Sequence, residues 1–152
     1  MLAMAAVGLW GALLGRPLVY LLPMIFPFIM VCGAVLGMFG AWLPPIEIGI
    51  AASLLMLGVC IAGAWRLPVR EACLVVAVFA VFHGYAHGQE LPSAADPVGY
   101  SIGFVFATGL VHLCGITLGM LKDSVLGLRL IRGCGGAIAV VGGYLVTQAL
   151  AW

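Results

Sequence analysis

His83 and His87 stand four residues apart, with Glu90 three residues beyond them, in the run FHGYAHGQE that closes the apolar stretch 72–81. At about 100° per helical residue the two imidazoles lie roughly 40° apart, and Glu90 falls about 20° to the other side of His83, so a helix shows all three on one face. Two imidazoles at this spacing can bind one divalent transition-metal ion. A carboxylate one turn further out can complete the shell or attract cations to it. Gly84 and Gly88 lie on the adjacent face, where a neighbouring helix could come close enough to add ligands. The plainer reading has two histidines hydrogen-bonded across helices and a solvated glutamate at a helix end. The solvent around them decides between the two.

That solvent is lipid. The 152-residue chain is 65% hydrophobic and 7% charged, too little polar surface to cover a soluble globule. Six apolar segments, at 1–15, 18–42, 46–65, 71–88, 97–121 and 133–152, predict an all-α polytopic membrane protein. We expect a compact bundle of six transmembrane helices, the first one short, forming a single transmembrane domain over residues 1–152. Ionisable groups inside a bilayer are costly and mark ion or proton paths, which favours ion handling by His83, His87 and Glu90. His112 lies about 15 residues into the fifth segment, or roughly 22 Å along it at 1.5 Å per residue, past the midplane. Thr108, Gly115 and Gly119 share its face. Either His112 makes a structural hydrogen bond between helices, or it is the inner station of a relay in which Glu90 and His87 receive an ion and His83 holds it at mid-depth.

Charge sorts by connector. Arg16, Arg66, Arg70, Lys122, Arg129 and Arg132 fall in the odd connectors, with Glu71 and Asp123, whereas the even ones carry only Glu47, Glu90 and Asp96. Basic residues mark the cytoplasmic side, so both termini are expected outside and the histidine cluster opens outward. Asp96 before Pro97 predicts an N-cap with proline in the first turn. Trp42, Trp65, Tyr100 and Trp152 sit near segment ends, at headgroup level. The pairs Gly11/Gly15, Gly33/Gly37, Gly84/Gly88, Gly99/Gly103 and Gly115/Gly119 predict close helix approach.

Several chemistries are excluded by their own motifs. HGYAH has Gly84 where a zinc protease needs its general-base glutamate, and Lys122, the only lysine, is followed by Asp123 and belongs to no phosphate loop. No basic patch interleaved with aromatics points to nucleic acid. No basic region and cleavage site of a signal peptide precedes the first segment. Cys32, Cys60, Cys73, Cys114 and Cys134 show no CxxC spacing and are expected to pack. The methionines are dispersed, and Glu47 is expected to cap an interface or to face the outer vestibule beside Glu90. A haem-binding subunit, with His112 and His83 or His87 as axial ligands, and a purely structural or regulatory subunit stay open as other classes.

FHGYAHGQELP, followed by GFVFATGLVHLCGITLG and preceded by MLAMAAVGLWGALLG, resembles the HupE/UreJ family of bacterial nickel and cobalt permeases over nearly the whole chain. The resemblance implies a six-helix secondary permease, not an enzyme, carrying Ni2+ or Co2+ across the bacterial inner membrane to supply nickel enzymes such as hydrogenase or urease. It implies no permanently bound cofactor, a lipid environment, and room for a homo-oligomer. His83, His87, Glu90 and, on the path, His112 are then the metal-handling residues, with Phe82, Gly84 and Gly88 matching the rest of the motif. The family's HPxxGxDH motif would stand directly before the first stretch, so the sequence resembles an N-terminally shortened member.

Overall fold

The computed structural model describes residues 1–90 and 97–151; of Glu90, Pro97, Val98 and Ser101 only the backbone is described. Asp96 and Trp152, expected as an N-cap and an interfacial anchor, lie outside the described residues. The described chain is all-α: α1 (Leu2–Leu14), α2 (Leu18–Met38), α3 (Ile46–Ala62), α4 (Val69–Glu90), α5 (Pro97–Gly119), a 3-10 turn (Met120–Asp123) and α6 (Val125–Leu150). All six expected helices form. Four of them, α2, α4, α5 and α6, are long and apolar enough to cross a bilayer alone. By contrast α1 and α3 have 13 and 17 residues, about 20 and 26 Å at 1.5 Å per residue. The expected six-helix membrane bundle with a short first helix is borne out, and α3 is shorter than its apolar segment as well.

The last helix also differs from expectation. It begins at Val125 rather than at residue 133, so Arg129 and Arg132 belong to its first turns and not to a connector. Ser124 explains the early start, because its hydroxyl accepts the Gly127 amide at 2.9 Å and satisfies one of the orphan donors of the first turn. Arg132 then reaches sideways, and its Nε donates to the Ala62 carbonyl at the end of α3 at 2.7 Å. Lys122 Nζ likewise donates to the Ala12 carbonyl in the last turn of α1. Each short helix thus has a cation on its C-terminal carbonyls, where unpaired oxygens carry partial negative charge. Arg66, Lys122 and Asp123 line one crevice at this end, the basic end of the bundle. Glu47 and Gln148 share another at the opposite end.

In lipid no hydrophobic force drives helices together, so neighbours are chosen by how closely backbones can approach. Glycine does the choosing here. A Cβ on Gly84 would overlap the Met30 carbonyl, one on Gly88 the Ala34 carbonyl, and in return one on Gly33 or Gly37 would strike the Val81 or Tyr85 carbonyl. These contacts advance in step along both helices, so α2 and α4 run parallel, interlocked by the two predicted glycine pairs. The Gly115/Gly119 pair serves α5 in the same way against α1, near Ala5, Leu9 and Ala12. On α6, Gly135 and Gly142 meet Ala62 and Leu55 in the opposite order, making α3 and α6 antiparallel. Of the other predicted pairs, Gly103 faces open space and Gly15 leaves the helix at φ 80°.

The resulting arrangement places α1 at the centre, with Trp10, Val7 and Ala6 fully buried, while Phe28, Leu74, Phe106 and Val140 point outward. Trp10 Nε1 donates to the Trp65 carbonyl at 3.2 Å, which ties the central helix to the end of α3. An apolar exterior around an apolar centre is the distribution a lipid solvent permits.

Candidate functional site

Four helices converge on the histidines. From α4, His83 is 8% exposed, and from α5, His112 is 2% exposed. Phe26 of α2, fully buried, touches both: its ring centroid lies 5.7 Å from that of His83 and 5.5 Å from that of His112, edge-on to the latter. Ser53 of α3 is also fully buried, with Oγ 2.9 Å from His83 Nε2 and 2.6 Å from the Ile50 carbonyl oxygen. Phe26 sits between Pro23 and Pro27, both inside α2. Neither proline has an N–H, so the Val19 and Pro23 carbonyls lose their helical donors on the segment that carries the ring.

His112 does not make the interhelical hydrogen bond considered for it. Its Nδ1 lies 2.8 Å from the Thr108 carbonyl oxygen one turn back on α5. A carbonyl only accepts, so Nδ1 carries the hydrogen and Nε2 keeps the lone pair. That Nε2 is buried without a hydrogen-bond partner, and so is Thr108 Oγ1 on the same face. Buried polar atoms are nearly always paired. Two orphans one helical turn apart in a bundle core are the chemistry an arriving cation can satisfy.

His87 lies toward the acidic end, one turn beyond His83. Its ring packs on Phe104 at 4.3 Å, Tyr100 Oη is 3.4 Å from Nδ1, and Tyr100 stacks on Phe104. It borders a crevice of about 240 Å3 lined also by Pro27, Met30, Met38 and Phe104. Two methionines that look scattered in sequence therefore line the same crevice as one imidazole. Glu90 ends α4, and its side chain is not described. Among the described residues no three His, Cys, Asp or Glu side chains are grouped as a metal shell. The three histidines have separate surroundings instead: His87 packs on Phe104 of α5, His83 meets Ser53 of α3, and His112 touches the Phe26 ring that also touches His83.

Of the four residues expected to handle metal, two are thus brought around one aromatic ring, and one stands a turn away. Ser53 and Phe26 are the participants that sequence reasoning missed. Their signals were a lone serine in the apolar run of α3 and a phenylalanine bracketed by prolines four residues apart. All five cysteines are free; Cys60 is buried and Cys73 half-buried, whereas Cys32, Cys114 and Cys134, also expected to pack, are exposed on the bundle surface.

A family model described as HupE / UreJ protein matches residues 1–145. The chain is 41% identical over 145 residues to Protein HupE of Rhizobium leguminosarum bv. viciae, an alignment covering 95% of this chain and 76% of that protein. No solved structure matches.

Proposed function

The chain belongs to the HupE/UreJ family, and on that premise we propose that it is a secondary permease carrying Ni2+, with Co2+ as the alternative cargo, across the bacterial inner membrane toward nickel enzymes such as hydrogenase or urease. The observation that carries this reading is the unpartnered lone pair of His112 Nε2, buried in the core and one phenyl ring away from His83. Imidazole suits borderline divalent ions of this kind. The basic end of the bundle is cytoplasmic and both termini are periplasmic, so α4 leads inward from Glu90 and His87 to His83, and His112 lies past them on the cytoplasmic side of Phe26.

Transport needs sites that hold an ion firmly enough to take it from water and weakly enough to release it. A chain of single imidazoles meets both demands. Each supplies one strong nitrogen, and none encloses the ion in a complete protein shell. Phe26 touches both His83 and His112, so a movement of its ring would alter the passage from one imidazole to the other, and the donor-poor turn between Pro23 and Pro27 supports such a movement. The same ring, in contact with both imidazoles, disfavours a haem held between His83 and His112.

The test is uptake of radioactive nickel at low external concentration by cells producing the chain, with cells lacking it as the baseline and Co2+ as competitor. Uptake above baseline that Co2+ competes away supports the permease. Baseline uptake at confirmed membrane levels overturns it. Within the same assay, His112→Ala is expected to slow accumulation about 10-fold or more while binding of Ni2+ to the purified protein persists, since the outer station is intact. Wild-type uptake in His112→Ala would remove that residue from the path.

A further inference from the structure

We propose that Ser53 is a positioning residue that holds His83 as its Nε2–H tautomer, making Nδ1 the nitrogen this imidazole offers to a metal ion. The inference rests on the permease reading of the His83 station and adds to it the atom used and the residue that selects that atom.

The argument is one of hydrogen count. Ser53 Oγ stands 2.6 Å from the Ile50 carbonyl oxygen and 2.9 Å from His83 Nε2. Two oxygens at the shorter separation repel unless a hydrogen lies between them, and a carbonyl has none to give. The single hydroxyl hydrogen of Ser53 is therefore committed to Ile50. Only lone pairs remain to face His83, so Nε2 must be the donor. A neutral imidazole carries one N–H, and the lone pair that can ligate is left on Nδ1.

Burial makes this choice firm. Ser53 is fully buried and His83 nearly so, which leaves no bulk water to replace the serine as acceptor. Ile50 is one turn before Ser53 on α3, so the orientation of the hydroxyl is set by a helix that packs against α6 and not by α4 itself. Histidines that bind metals donate their second ring nitrogen to a nearby oxygen, which fixes both tautomer and ring orientation. Here a serine fills that role. His112 is held in the opposite form, with Nδ1 donating to the Thr108 carbonyl and Nε2 bare. The two stations flanking Phe26 thus offer different nitrogens, Nδ1 from α4 and Nε2 from α5.

The test uses the full chain, labelled with nitrogen-15 histidine, in lipid nanodiscs without metal. The two ring nitrogens of a neutral imidazole resonate far apart according to which bears the hydrogen, and His83→Gln and His112→Gln assign the signals. The wild-type protein is expected to show His83 with its hydrogen on Nε2 and His112 with its hydrogen on Nδ1. A hydrogen on Nδ1 of His83 overturns the proposal. In nickel uptake, Ser53→Ala is expected to raise the apparent KM by about 10–100-fold with the maximal rate held within roughly twofold, the size of effect that losing an outer-shell partner has on metal affinity. Ser53→Thr, which keeps the hydroxyl, is expected to restore most of it. An unchanged KM in Ser53→Ala overturns the positioning role, as does a Ser53→Thr variant no better than alanine at matched membrane levels. Absence of nickel uptake by the wild type would remove the permease reading, and the resonance pattern would still decide by itself which nitrogen Ser53 selects.

Discussion

A His83→Ala/His87→Ala double variant, present in the membrane at wild-type level, is expected to accumulate nickel no faster than cells without the chain. Losing a residue that merely orients a metal ligand costs about 10–100-fold in affinity, so losing both imidazoles of the outer approach should cost more than either. The remaining described ligands, His112 and the thioethers of Met30 and Met38, leave the outer approach without an imidazole. Tyr100 and Phe104 beside His87 have no comparable donor, and Ser53 already gives its hydrogen to Ile50. His83 is buried against Phe26 and Ser53, so the alanine variant also opens a cavity. A His83→Gln/His87→Gln pair, which fills that space and can still hydrogen-bond, separates lost ligation from lost packing. If the glutamine pair restores the folded protein but not uptake, the imidazoles are ligands. Wild-type uptake in the alanine pair would favour the structural or regulatory subunit instead.

The second large effect is structural. Gly84→Ala adds one carbon, yet that carbon would overlap the carbonyl group of Met30 on α2. Overpacking a core with a methylene costs about 1–3 kcal/mol when side chains can move aside. Here the obstacle is backbone, so α2 and α4 must separate along the whole glycine interlock, and the cost is expected to exceed that range. The site moves with it, because Gly84 follows His83 and Met30 lies one turn beyond Phe26. Thermal melting in detergent is expected to show a large loss for Gly84→Ala. Gly136→Ala is the control, since a Cβ there meets nothing within 4 Å. Alanine at a free helical position should be neutral or gain about 0.5–1 kcal/mol. Equal melting of the two variants would refute the close backbone approach of α2 and α4 at Gly84.

How much of this was legible beforehand differs by feature. The motif FHGYAHGQE singled out α4 as the candidate for metal chemistry, and Gly84 and Gly88 announced that another helix comes near. Which helix it is could not be read. α2 is separated from α4 by α3, and its own glycines, Gly33 and Gly37, match those of α4 only in one parallel register. The start of α6 was misplaced because a hydropathy reading treats Arg129 and Arg132 as the edge of a span, whereas the Ser124 cap and the Arg132 bond to Ala62 carry the helix through them. The shortness of α3 was hidden by the apolar residues at 63–65 that continue its hydropathy after the helix has ended.

The sequence by itself determined the all-α class, the lipid solvent and the segregation of charge. These follow from local rules, because in a bilayer each segment must satisfy its own backbone hydrogen bonds and can do so only as a helix. Tertiary structure alone decided the pairings α1/α5, α2/α4 and α3/α6, the contact of Phe26 with both His83 and His112, and the bond between Ser53 and His83 across 30 residues of chain. Helix contacts in lipid depend on the shapes of two surfaces meeting, which no single segment encodes. Thus the types and spacing of the histidines raise a metal chemistry as an expectation, and only the packing leaves His112 Nε2 without a partner and sets one phenyl ring against two of the imidazoles.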